Sequence, residues 1–152
     1  MLTDTEGIVL RQIKTSYNRR MILLFSKKYG KISAGTSIQE KGRGKSSLAL
    51  RPFTYGRYEL FKNRDSYNIN SADVLKSYYA IGEDVDKYMN GAYVLEFTEH
   101  VLSEGVPAPG IFNLLLDFFD LLESRDRGIG TLVLGYQMKL FKYAGVAPQV
   151  DR

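Results

Sequence analysis

The sequence predicts an α+β chain in which a small five-stranded antiparallel barrel or sandwich precedes an α-helical domain, and three observations predict it. Hydrophobic residues recur with strand spacing before Ser71 and with helical spacing after it. Charge changes sign at the same place: residues 1–71 carry 14 Lys and Arg against 5 Asp and Glu, a net of +9, whereas residues 72–152 carry 7 against 12, a net of −5. A chain of 152 residues, 44% of them hydrophobic, has apolar material for one core or two small ones, which excludes wholesale disorder. Two domains, 1–71 and 72–152, are therefore expected to join directly near Ser71.

Thr5 to Ile13 alternates as a strand does and ends in a polar turn at Ser16-Tyr17-Asn18-Arg19. Met21 to Phe25 is a short apolar run, and Ser26-Lys27-Lys28-Tyr29-Gly30 reads as a hairpin turn because glycine supplies the positive φ. Lys31 to Ile38 is the expected return strand. Residues 39–47 form a polar, glycine-rich loop with nothing apolar to bury. Phe53 to Phe61 suits a strand rich in aromatic residues, and Tyr67 to Ile69 suits another.

Ser71-Ala72-Asp73 offers capping side chains for a short helix through Tyr79, interrupted by Gly82. Asp84 to Leu102 reads as an amphipathic helix whose apolar face carries Val85, Tyr88, Met89, Ala92 and Tyr93, ended by Ser103-Glu104-Gly105. Pro107 and Pro109 open the next helix. Ile111 to Leu122 is apolar almost all round, broken by Asn113, Asp117 and Asp120, and belongs at the centre of a bundle. Gly128 to Ala144 is a third long helix, closed by Gly145 with Pro148 just beyond. Nothing approaches the roughly 18 apolar residues of a membrane span, and the start MLTDTEGIVL has no basic leader, so a cytoplasmic protein is expected.

The residues that carry chemistry are few. There is no cysteine, which excludes disulfides and thiolate ligands in this chain, and one histidine, His100, which cannot serve as both base and metal ligand. Gly44-Lys45-Ser46 ends like a phosphate-binding P-loop, but the glycine required five positions earlier is Gln39, and the residues that follow return to a strand pattern. Asp117 and Asp120 have helical metal-pair spacing without further ligands, and read as polar residues of a mostly buried helix. No catalytic residue, metal or cofactor is expected, so an enzyme is the weak hypothesis.

Basic and aromatic residues interleave on the β unit. Arg19, Arg20, Lys27, Lys28, Lys31, Lys41, Arg43, Lys45, Arg51, Arg57 and Lys62 alternate with Tyr17, Tyr29, Phe53, Tyr55 and Tyr58. Cations can track phosphates while rings stack on bases, the recipe for binding nucleic acid. About half of the rings are expected to point inward, since strand side chains alternate between faces.

These motifs resemble a known family. Gly7-Ile8-Val9-Leu10-Arg11, residues Phe25 to Ile32, and Gly42-Arg43-Gly44-Lys45-Ser46 running into Leu50-Arg51-Pro52-Phe53 are similar to the N-terminal domain of RecO, a bacterial DNA repair and recombination mediator. Ala92 to Glu96, Ile111 to Leu116 and Leu140 to Pro148 continue the resemblance in order through the helical half. It implies an oligonucleotide/oligosaccharide-binding (OB) barrel followed by a helical domain. It also implies single- and double-stranded DNA as ligands, strand annealing, RecR and the single-stranded DNA-binding protein SSB as partners in loading RecA, and a nucleoid-associated location. On the matching motifs, Arg11, Lys27, Lys28, Lys31, Arg43, Lys45 and Arg51 become the DNA-contacting candidates, joined from the charge pattern by Arg19, Arg20 and Lys41. Family members continue past the region of Gly145 to Pro148 into a cysteine cluster that often binds zinc, so the helical domain is expected to be truncated before that region. A protein-interaction adaptor and an RNA-binding barrel remain open as other readings.

Overall fold

The computed structural model describes residues 1–14, 20–38 and 45–145; the side chains of Lys14 and Lys45 fall outside that description. Its elements are β1 (Leu2–Lys14), β2 (Arg20–Ser26), β3 (Gly30–Thr36), α1 (Lys45–Leu48), β4 (Thr54–Lys62), β5 (Tyr67–Ser77), α2 (Tyr79–Glu83), α3 (Val85–Val101), α4 (Pro109–Ser124) and α5 (Ile129–Ala144). The α+β class is as expected. The strands close in the order β1-β2-β3-β5-β4, with β1 and β4 paired.

The barrel is mixed, not antiparallel as expected. Ala34 and Gly35 of β3 pair with Tyr67 and Asn68 of β5 in parallel, and the other neighbours are antiparallel. The reason is parity: strands that alternate direction around a closed ring must be even in number, so five leave one parallel seam.

Two apolar clusters organise the chain. The barrel interior holds Val9, Ile22, Leu24, Ile32, Tyr58 and Leu60, with Ala49 and Leu50 after α1 plugging one end. Tyr58 is buried and donates to the Ala49 carbonyl at 2.6 Å, which ties the plug to the wall. The second cluster lies outside the barrel. Ile8, Leu10, Leu23 and Phe25, on the opposite face of β1 and β2, share it with Val94 and Leu95 of α3, and with Phe112, Leu115 and Phe119 of α4. Strand β2 is thus buried on both faces, which is why Met21 to Phe25 reads as a continuous run instead of an alternation.

A β-bulge in β1 between Val9 and Arg11 has a consequence at the surface. Val9 pairs with Leu24 on the inside, but Arg11 pairs with Leu23 on the outside. Without the extra residue Arg11 would turn inward; with it, the guanidinium faces α3.

Three further expectations are corrected. Residues 71–77 are strand, not the start of a helix: Ser71, Ala72, Asp73 and Val74 pair with Glu59, Tyr58, Arg57 and Gly56, so a full ladder with β4 outweighs local capping chemistry. Residues 45–48 form a short helix where the sequence suggested loop passing into strand; Ser46 Oγ is tied there to the Ala72 carbonyl at 3.1 Å. On α3 the apolar face is reversed. Val85, Tyr88, Met89 and Tyr93 are exposed, and Gly91, Val94, Leu95 and Thr98 are buried. Both faces carry apolar residues, and the smaller one fits: a β-carbon on Gly91 would lie 2.8 Å from the Phe53 ring.

The remaining helices follow the sequence. α4 begins at Pro109 and buries Ile111, Phe112, Leu115, Phe118, Phe119 and Leu122, and α5 ends at Gly145 with φ 70°. Asp117 and Asp120 are exposed on α4. No helix among the described residues is long and apolar enough to cross a membrane.

Candidate nucleic-acid interface

The structure divides the predicted cations into groups with different partners. Arg11, brought outward by the bulge, meets Glu99 of α3 through two bonds, Nε to Oε1 at 2.9 Å and Nη2 to Oε2 at 3.1 Å. That hydrogen bonding raises the Arg11 pKa further above its ordinary value. Lys31 Nζ donates to the Glu99 carbonyl at 2.8 Å, near the C-terminus of α3 where a cation is favoured. Lys27 lies 3.8 Å from Glu6, and Lys28 donates to the Asp4 carbonyl at 3.2 Å. Arg57 reaches Asp4 at 3.5 Å and Glu6 at 3.6 Å. The exposed ion pairs of Lys27 and Arg57 contribute about 0–1 kcal/mol each, so a phosphate can displace them, whereas Arg11 is held by two bonds to a mostly buried carboxylate.

Arg20 is buried. Its Nη1 donates to Gln12 at 3.1 Å and its Nη2 to the Ile38 carbonyl at 2.5 Å, so it laces β1 to the segment after β3. Arg51, in the turn after α1, is exposed, and its guanidinium has no ion pair or hydrogen bond among the described residues. Arg19, Lys41, Arg43 and the side chain of Lys45 lie outside the described residues.

The predicted rings divide as well. Tyr58 is inside the barrel and Phe53 is buried against the helices. Tyr55 donates to Glu6, and burial together with that bond pushes its phenol up to about 12, so it remains a donor at neutral pH. Tyr29 packs on Tyr67 with ring centroids 5.6 Å apart, and Lys62 Nζ lies 5.3 and 5.8 Å from the two rings. Tyr17 lies outside the described residues.

Beside Arg51 runs a groove of about 1270 Å³ between the barrel wall at α1 and β5 and the start of the helical body. Tyr79 and Tyr88 also line it, the first 70% exposed and the second 50% exposed. Tyr88 is braced edge-on against Phe53, with centroids 5.8 Å apart. Phe53 itself has φ 60°, a left-handed conformation that is rare and costly for a side chain of this size. The turn at 51–53 is therefore held by its surroundings: Phe53 packs on Phe119 and its carbonyl accepts from the Tyr78 amide at 2.9 Å. Sequence reasoning missed both tyrosines, because Tyr88 fell on the face expected to be buried and Tyr79 lies in the acidic half. The available signal was a pair of polar-tipped rings shortly after the change of period.

Fold and groove together are consistent with a class of protein in which an OB-like barrel is joined to a helical body. Comparison with known families makes the assignment specific. Residues 1–78 match the model described as Recombination protein O N terminal, and residues 82–152 match Recombination protein O C terminal; the chain belongs to the RecO family. It is 33% identical over 150 residues to the DNA repair protein RecO of Alkaliphilus metalliredigens, an alignment covering 99% of this chain and 61% of that protein. Against the DNA repair protein RecO of Acetivibrio thermocellus it is 31% identical over 147 residues, covering 97% and 59%. For that of Exiguobacterium sibiricum the values are 29% over 153 residues, 99% and 60%. The chain thus spans about three fifths of the length of these relatives. The zinc-binding cysteines that the resemblance implies have no counterpart in this chain, and among the described residues no group of three or more His, Asp or Glu is placed to hold a metal.

Proposed function

We propose that this chain is the DNA-binding portion of a DNA repair and recombination protein of the RecO type, built on an OB-fold barrel and acting without catalysis. It binds single- and double-stranded DNA in the cytoplasm, at the nucleoid, promotes annealing, and works with RecR and SSB in loading RecA. The match of both halves to the RecO models carries this reading. The placement of Arg51, exposed and unpaired among the described residues, beside a groove with exposed rings, supports it. The mechanism is electrostatic: cations neutralise the phosphates of two strands, lowering their repulsion so that complementary bases can meet.

A salt titration of oligonucleotide binding tests it. With about four to six phosphates contacted, log affinity for a single strand should fall against log salt with a slope of roughly −3 to −4. Binding that ignores salt, or none at low salt, overturns the reading. The Arg11–Glu99 pair adds a second expectation. Glu99→Gln removes the carboxylate that holds Arg11, so the released cation can take one more phosphate and the single-strand slope should steepen by about 0.7. An unchanged slope would place Arg11 outside the DNA contact.

A further inference from the structure

We propose that the groove between α1, β5 and the α2–α3 junction is a subsite for single-stranded DNA, in which Tyr79 and Tyr88 are base-stacking platforms and Arg51 holds the phosphate. The proposal rests on the DNA-binding reading above and assigns it a place and a strand preference.

Tyr93 and Tyr143 are comparably exposed, but only Tyr79 and Tyr88 among the four line the groove. Tyr79 leaves 70% of its surface in water at the first turn of α2, and Tyr88 leaves 50% on α3, while Tyr58, Tyr78 and Tyr136 are buried. Large flat side chains left at the mouth of a groove are what stacking on bases needs, because every base has a π-face. Tyr88 is held in place by the Phe53 ring, which meets it edge-on. Phe53 keeps its strained backbone conformation at the point where the turn carrying Arg51 meets the helical body. A ring preorganised in this way loses little freedom when a base arrives.

Charge selects the strand. Arg51 lines the groove with its guanidinium unpaired among the described residues, and the buried Arg20 is occupied by Gln12 and Ile38. Asp73 lines the same groove. Among the described residues, one available cation beside a carboxylate suits the sparse charge of a single strand and not the denser phosphates of a duplex. A duplex also keeps its base faces stacked away from the rings. The groove therefore recognises unpaired bases, the state a strand has before annealing.

The chain contains no tryptophan, so Tyr79→Trp places one fluorophore at the site and keeps a stacking ring. Thymidine oligonucleotide should quench that emission on binding, with affinity close to the unaltered chain. Tyr79→Ala should weaken binding of the same oligonucleotide roughly 5- to 150-fold, as expected for one lost stack, leaving the salt slope and the affinity for a blunt duplex unchanged. Emission unaltered at saturation, equal affinity in Tyr79→Ala, or an equal loss on duplex would each overturn the subsite. If the unaltered chain binds oligonucleotide and Tyr79→Ala binds it equally, the subsite fails while the DNA-binding reading stands. If the unaltered chain binds none, both fail.

Discussion

Phe112→Ala is expected to lower the stability of the chain by about 3–5 kcal/mol, and to do so in a single cooperative transition. Phe112 is fully buried where α4 lies across the outside of the barrel. Its ring meets Phe25 edge-on at 5.3 Å and Tyr55 at 6.0 Å, and Lys27 Nζ lies 6.0 Å from its centroid. Truncation leaves a cavity that β-strand and helix backbones cannot both close over. Because Ile8, Leu10, Leu23 and Phe25 of the barrel share one cluster with the helices, loss of packing there should reach both halves together. Urea unfolding followed by far-ultraviolet circular dichroism for the helices, and by nuclear magnetic resonance of the β1–β5 amides for the barrel, reads both. Two separate midpoints, or a loss below about 1 kcal/mol, would show that the halves are independent units.

Gly30→Ala is the second large expected effect, about 2–5 kcal/mol. Gly30 has φ 74°, and a β-carbon there would lie 2.3 Å from the Val106 carbonyl oxygen and 2.5 Å from its carbon. The left-handed conformation costs alanine about 1–2 kcal/mol, and overpacking adds roughly 1–3 kcal/mol because the obstacle is backbone. That segment is held close for a reason: the backbones of Lys31 and Glu104 form an isolated parallel β-bridge, in which the Gly105 amide donates to the Lys31 carbonyl at 2.9 Å. The hairpin turn of the barrel thus docks the α3–α4 connection directly. Gly105→Ala is the control, since Gly105 has the same φ but open space around it, and should cost only the conformational part. Thermal melting of the two variants separates the contributions, and equal shifts would show that the close approach to Val106 carries no energy.

Much of the fold was legible in the sequence. The alternation in Thr5 to Ile13, the hairpin ending at Gly30, the aromatic strand from Phe53 and the apolar helix from Ile111 all stand where local pattern put them. The parallel seam was also implicit, since five strands around a closed ring cannot all be antiparallel neighbours. What misled was local chemistry in competition with distant partners. Ser71-Ala72-Asp73 has the residues of a helix cap, yet β4 offered a ladder that those residues complete. The α3 periodicity admits two apolar faces, and Phe53, far back in the chain, selects the one with Gly91.

The candidate site was legible in kind but not in composition. Interleaved basic and aromatic residues mark the barrel half, and Arg51 is where that pattern and the groove coincide. Tyr79 and Tyr88 enter the groove from the helical half, whose acidic composition concealed them.

By itself, the sequence determined the order of most strands and helices, the opposite charges of the two halves and the absence of thiol chemistry, because each is a property of residues near one another or of composition. Only the tertiary structure decided which cations face solvent and which rings stay exposed. Arg11 is held by a carboxylate 88 positions away, and it reaches that carboxylate because one extra residue in β1 turns it outward. Side-chain availability depends on partners brought together by folding, and a one-residue change of register reverses the face on which a strand presents its charge.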